Sequence, residues 1–284
     1  MQIRTTNAHV RDAAYAMPAA LFMALLFALP LFSVLHQSLQ QENGGGLTIQ
    51  AYAKIFTTPL FLRVAYTTLE VSISATVFSL LLAYPIAYFL AKQSPRRRAL
   101  YMILVLVPFW TSSLVKSFSF MVLLGQSGII NQMLGAFGIA PVKMLFNRFG
   151  VMVGMSHFLI PFFVFPILTS LRSQPPELAK AAAIMGAGKL RIFLRVTLPL
   201  SLPGVMAGAL LVFILSLGFY IIPALLGGRQ DMMFANLVDF YTREALNWPM
   251  ASAVAVLLVA AAALAAMLLS KVRGGSSILS EEGH

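Results

Sequence analysis

The sequence contains no cysteine. That excludes disulfides, thiolate metal sites and a cysteine nucleophile, and leaves the compartment open. Charge is also scarce. Only 10% of the 284 residues are Asp, Glu, Lys or Arg, against about a quarter in a soluble domain. Acidic side chains are the scarcest, nine against 20 basic ones. No HExxH and no G-x-S-x-G is present, and no apolar stretch holds a pair of carboxylates, so no catalytic constellation is legible.

Apolar residues are abundant, at 59% of the chain. A surplus of that size has nowhere to go in water, and composition overrules the one or two soluble domains that length alone suggests. The net charge of +11 invites a nucleic-acid reading. Nucleic-acid binders gather their cations on one exposed face. Here the cations sit in short gaps between apolar runs, the pattern of a chain held at an anionic lipid surface. No nucleic-acid partner is expected.

A hydrocarbon core of ~30 Å needs about 20 apolar residues in a helix. Six stretches qualify, at about Ala16–Leu35, Val64–Ala91, Ala99–Leu123 (interrupted by Pro108), Phe149–Leu171, Leu200–Leu225 and Pro249–Ser270. The first exceeds the apolar run of about 7–15 residues in a signal peptide and has no clear A-x-A site after it, so it is read as a retained span. With the N-terminus cytoplasmic, the inner segments hold thirteen of the 20 basic residues: Arg4 and Arg11; Lys92 and Arg96–Arg98; Arg172, Lys180, Lys189, Arg191 and Arg195; Lys271 and Arg273. Seven lie outside, in segments longer in total. The positive-inside rule then puts both termini in the cytoplasm. The expected fold is all-α integral membrane. It has six transmembrane helices in one domain, with short cytoplasmic tails at about 1–15 and 272–284.

The loops differ in kind. Outside, Gln40–Leu60 is polar and glycine-rich (Gly44, Gly45, Gly46), Gly125–Asn147 has room for a short surface helix, and Gly227–Trp248 carries Asp231, Asp239 and Glu244. Inside, Arg172–Pro199 is long enough for structure of its own. Proline suits a first helical turn, and Glu177 suits the helix dipole there. Leu178, Ala179, Lys180, Ala181 and Ala182 are strong helix formers, and Gly186 or Gly188 supplies a left-handed stop. The spacing therefore predicts a short helix from near Pro175 to near Gly186. Leu178, Ala181, Ala182 and Met185 form one apolar stripe, mostly alanine. Such a helix either rests on the bilayer or docks a cytoplasmic partner; bulky residues, usual on interfacial faces, are few in the stripe. Gly186-Ala187-Gly188-Lys189 is no P-loop. Ala183 stands where its first glycine belongs, and Leu190 where Ser or Thr would bind magnesium.

This loop resembles the EAA motif, E-A-A-x3-G-x9-I-x-L-P, of permease subunits of bacterial binding-protein-dependent ABC importers. The matching residues are Ala181, Ala182, Gly186, Leu198 and Pro199, with Val196 in the isoleucine position and Lys180 in place of the glutamate. Leu82–Tyr88, Val107–Lys116, Pro223–Gly228 and Asn247–Pro249 resemble the spermidine/putrescine branch; importers of opines, phosphonates, thiamine and ferric ion share parts of them. The resemblance implies a type I ABC importer permease fold in the bacterial inner membrane. It implies two cytoplasmic ATPase subunits, a second homologous permease and a periplasmic or lipid-anchored substrate-binding protein as partners. ATP and magnesium would bind the ATPase, with no cofactor in this chain and no enzymatic activity of its own. It also makes Glu177, Leu178, Lys180, Ala181, Ala182, Met185, Gly186, Leu198 and Pro199 the ATPase-docking residues. A secondary transporter is the rival reading; it calls for intramembrane ionisable pairs and internal repeats, neither of which is visible.

Other residues carry two readings each. Glu70 either lines a cation path or reaches the headgroups, and Lys116 either anchors at the interface or pairs with Glu70. His157 is a proton relay or a hydrogen-bonding partner of a neighbouring helix. Trp110 and Trp248 suit packing or the interface belt better than substrate stacking, although Trp110 is kept with Glu70, Lys116 and Asp239 as a candidate for the substrate path. Asp231, Asp239 and Glu244 guide an amine, contact the binding protein or, more in keeping with exposed charges, sit on a solvated loop. Pro30, Pro85, Pro108 and Pro223 mark candidate kinks.

Overall fold

A computed structural model describes residues 3–42 and 45–278, so Gly44 lies outside the described residues. These residues form helices and no strand. The helices are α1 (Ile3–Ser38), α2 (Gln50–Thr57), α3 (Pro59–Ala91), α4 (Pro95–Trp110), α5 (Ser113–Leu124), α6 (Ile129–Ala136), α7 (Arg148–Arg172), α8 (Pro176–Ile184) and α9 (Lys189–Ile192). A π-helical turn, Phe193–Thr197, leads into α10 (Leu198–Leu217). Then come α11 (Ile221–Leu226), α12 (Phe234–Arg243) and α13 (Trp248–Ile278). Six stretches are long and apolar enough to cross a membrane: Met17–Ser38, Pro59–Ala91, Ser113–Ala136, Arg148–Arg172, Lys189–Leu217 and Trp248–Leu268, the third of them starting well after the expected Ala99.

Two expected spans are interrupted. The third stretch is not one helix. α4 runs through Pro108 and ends at Trp110, where Thr111 (ψ 143°) and Ser112 (ψ 136°) are extended before α5 starts. A proline removes one helical hydrogen bond and crowds the preceding turn, and the chain gives way three residues later. The fifth stretch pauses at 218–220 between α10 and α11. At its other end the helix begins earlier than expected, through α9 and the π turn. The Leu198 N–H reaches back five residues to the Phe193 carbonyl. That wide turn lies directly before Pro199, whose ring needs the room. Short helices also lie between the long ones, α2 before α3 and α12 before α13, whereas α6, expected as a surface helix, falls within the candidate span Ser113–Ala136.

The chain divides into two compact units, Met1–Thr57 with Val238–Leu257, and Thr58–Leu237 with Leu258–His284. In the first, Ser252 Oγ donates to Gln37 Oε1 (3.2 Å). Asn247 Nδ2 donates to Glu42 Oε1 (2.8 Å), and Ser38 shares a hydrogen bond with Tyr52.

The second unit is built on α3, α7 and α10, which pack on one another. The buried side of α3 reads Thr68, Ser72, Ala75, Ser79, Ala83 and Ala87, a stripe of small residues at helical spacing. In lipid no hydrophobic force drives apolar helices together, so close backbone approach has to hold them. α7 fills the space with Val151, Met155, Leu159, Phe163 and Ile167, each fully buried. On α10, Gly204 and Gly208 meet α7. A Cβ on Gly204 would lie 2.5 Å from the Pro166 carbonyl oxygen, so any larger residue forces the helices apart.

Candidate functional site

Three arrangements in the second unit carry the candidate residues. The first follows the C-terminal end of α7. Ser173 caps it, its N–H donating to the Thr169 carbonyl (3.1 Å). After Pro175 the chain enters α8, with Glu177 in the first turn. The exit is a Schellman motif: Ala187 N–H bonds the Ala182 carbonyl and Gly186 N–H the Ala183 carbonyl (both 3.0 Å). Gly186 sits at φ +83°, the left-handed conformation that this cap requires. The helix thus spans the range its sequence predicts.

Its apolar face divides. Ala182 is buried against the chain itself, where α8 packs on α9 and the π turn. Leu178 is 45% exposed, Ile184 87% and Met185 81%. The stripe read as one docking face is therefore two: Ala182 seats the helix and Met185 remains open. Glu177, Lys180 and Ala181 are also exposed, and no ion pair among the described residues includes Glu177 or Lys180.

The base of this loop is firmly held. Phe193 meets the rings of Tyr84 and Tyr88 edge-on, with centroids 5.9 and 5.3 Å apart. The Tyr84 hydroxyl hydrogen-bonds Ser201 Oγ (2.9 Å), and Gln174 Nε2 donates to the Thr197 carbonyl (3.0 Å). Leu198 is half-buried and Pro199 exposed. The two motif residues thus sit just beyond the clamped turn. Sequence reasoning missed this clasp, although Tyr84 and Tyr88, four apart on α3, were its visible signal.

The second arrangement is the break between α4 and α5. Lys116 is 7% exposed, which rules out an interface anchor. It does not pair with Glu70. Its Nζ donates to the Pro108 carbonyl (2.7 Å) and lies 4.8 Å from the centre of the Phe158 ring. α4 ends here with carbonyls that no helical amide can reach, and a cation is favoured at that negative end. Trp110, the last residue of α4, is 72% exposed and suits an interface belt. An apolar cavity of about 350 Å³ lies among α3, α4 and α7. His157 is in its wall, has a buried Nδ1 without a hydrogen-bond partner among the described residues and packs edge-on to Phe120.

The third is at the N-terminal end of α7. Arg148 lies 2.6 Å from Glu70 of α3 and 2.8 Å from Asp231, which follows α11. The other Asp231 oxygen accepts the Gly228 N–H (3.0 Å). Asp231 is only 5% exposed, which corrects its reading as a solvated loop charge. The arginine takes it out of water, with no sequence neighbour to announce the pairing. Asp239, in the first unit on α12, pairs with Arg243 one turn on (2.7 Å). Of the substrate-path candidates in the second unit, Glu70 pairs with Arg148 and Lys116 with the Pro108 carbonyl.

With this geometry in place, similarity to known proteins is informative. A family profile described as "Binding-protein-dependent transport system inner membrane component" matches residues 83–274, which include α8 and the π turn. The spermidine/putrescine transport system permease protein PotB of Haemophilus influenzae is 35% identical over 247 residues, 84% of this chain and 86% of its own length. Its Escherichia coli K12 namesake is 32% identical over 213 residues, 74% and 77% of the two chains. Among solved structures, a chain of a bacterial alginate ABC transporter in complex with its alginate-bound periplasmic protein superposes with a TM-score of 0.73. It shares 16% identity and covers 94% of this chain and 95% of its own. A chain of the inward-facing MetNI methionine ABC transporter gives 0.55 at 18% identity, over 74% of this chain and 93% of its own. At these identities the structural likeness speaks for the fold alone. The chain belongs to the binding-protein-dependent transport system inner membrane components, the permease subunits of bacterial ABC importers, and is a multi-pass protein of the bacterial inner membrane.

Proposed function

We propose that this permease carries polyamines such as spermidine and putrescine inward, with α8 as the element through which a separate ATPase drives it. One observation carries the mechanical part: a nine-residue helix, clamped at its base, presents Ile184 and Met185 almost fully exposed. Adjacent large apolar side chains exposed on a charged loop outside the candidate spans, where lipid does not account for them, suit a contact surface. The chain lacks a P-loop, so the nucleotide belongs to a partner. Positive charge on the segments flanking α8 supports a cytoplasmic position for it and for both termini. The cargo assignment rests on the relatives named for spermidine and putrescine transport.

The working complex has this chain, a second homologous permease, two ATPases and an external binding protein. ATP binding closes the ATPase pair, and α8 passes the movement through the Tyr84–Phe193 clasp to α3 and α10. Nucleotide acts only by favouring one of two membrane arrangements over the other.

The test is reconstitution in vesicles. Spermidine uptake should require ATP, the ATPase and the binding protein together, and the purified chain alone should hydrolyse no ATP. Uptake that persists without the ATPase would identify a secondary transporter and overturn the proposal.

A further inference from the structure

We propose that the break between α4 and α5 is a subsite for a primary alkylammonium, held in this conformation by the side chain of Lys116 as a tethered occupant. The inference rests on the reading of the cargo as a cationic amine.

Lys116 is a cation buried in an apolar span, and no ion pair among the described residues includes it. Such a charge is costly without compensation. Three features compensate it: the Pro108 carbonyl at 2.7 Å, the negative end of α4, and the Phe158 face at 4.8 Å. Phe158 is itself packed by Phe109, Phe162 and Phe219, at centroid distances of 6.0, 5.5 and 5.2 Å. A carbonyl at an interrupted helix end, here shared with the Thr111 hydroxyl (2.9 Å), joined to an aromatic face forms a cation receptor.

The shape of the neighbouring space agrees. A lysine side chain is an aminobutyl group, the unit from which putrescine and spermidine are made. Pro108 contributes its carbonyl to the ammonium and also lines the apolar cavity of about 350 Å³. Phe89, Tyr101, Leu104 and Ile160 wall that cavity, ready for methylenes. His157, in the same wall, has a buried Nδ1 unpartnered among the described residues, an acceptor for a further N–H when the ring is protonated on Nε2. A resident lysine keeps the subsite from holding its guest tightly, as passage requires weak, displaceable binding.

The test uses the assembled transporter in nanodiscs, with equilibrium binding of putrescine and of methylammonium as a head-group probe. Lys116→Met should bind both about tenfold more tightly than the parent, and Lys116→Arg should show no gain. Adding Phe158→Leu to Lys116→Met should remove about fivefold of that gain. Unchanged binding by an assembled Lys116→Met, or a gain indifferent to Phe158, overturns the proposal. If Lys116→Met does not assemble, Lys116→Ala, which likewise vacates the Pro108 carbonyl, should show the same gain. Failure of both to assemble would make the ammonium a structural brace and overturn the proposal. Spermidine uptake by the parent separates the two readings: a methylammonium gain without polyamine uptake keeps the subsite and discards the cargo, and uptake without a gain does the reverse.

Discussion

The two ends of α7 are finished in opposite ways. At its N-terminal end, Arg148 reaches Glu70 and Asp231, and the remaining Asp231 oxygen takes the Gly228 amide. Past its C-terminal end, α8 closes its own backbone with a Schellman cap but leaves Ile184 and Met185 open and, among the described residues, Glu177 and Lys180 without ion pairs. One end satisfies its groups within the chain. The other leaves apolar surface uncovered, and on that contrast the proposed docking role of α8 rests.

Substitutions can break the contrast or sharpen it. The largest effect belongs to Met185→Asp, which places a charge on the open face. It should lower ATP-dependent uptake at least about tenfold, equivalent to ~1.4 kcal/mol of docking, while the chain still inserts, as membrane fractionation would report. Ala182 is a poorer probe, because a change there disturbs the seat of α8 on its own chain. Arg148→Met should act through folding. It leaves the buried Asp231 charge unpaired, at a cost below the ~3–5 kcal/mol of a fully buried pair because Arg148 is partly exposed. Thermal unfolding in detergent should register it, with ATPase docking intact. Glu70→Gln removes only the half-exposed partner and should cost under about 1 kcal/mol in the same assay. If Glu70→Gln matched Arg148→Met, the triad would depend on Glu70 and not on Asp231. Smallest of all, Lys180→Glu should change uptake less than about threefold, since an exposed ion pair with a partner is worth under ~1 kcal/mol. Complete loss of activity would show that the docking surface is specifically acidic opposite Lys180.

Much of this was legible in the sequence because it is encoded locally. The limits of α8 follow from Pro176, Glu177, the alanines and Gly186, all within one short segment. The spans are visible because lipid demands runs of about 20 apolar residues. Hydropathy does not tell which span packs inside, however. Met17–Ser38 and Arg148–Arg172 are about equally apolar, yet none of the first is buried and just over half of the second is. The distinction lies in the small residues of α3 and in Gly204 and Gly208, which matter only once their partners are known. Charge pairing was likewise hidden. Glu70, Arg148 and Asp231 are far apart in sequence, and Lys116 finds a carbonyl and a ring where a carboxylate was the expected alternative. The break after Trp110 needed Pro108 and the extended Thr111–Ser112 pair together, and proline alone did not fix its place.

Because the chain has no cysteine, one introduced thiol is an unambiguous probe of the open face of α8. Met185→Cys in the assembled transporter should crosslink to a cysteine placed on the ATPase and be protected from a bulky, water-soluble maleimide only when the ATPase is bound. Equal labelling with and without the ATPase, and no crosslink, would contradict the account.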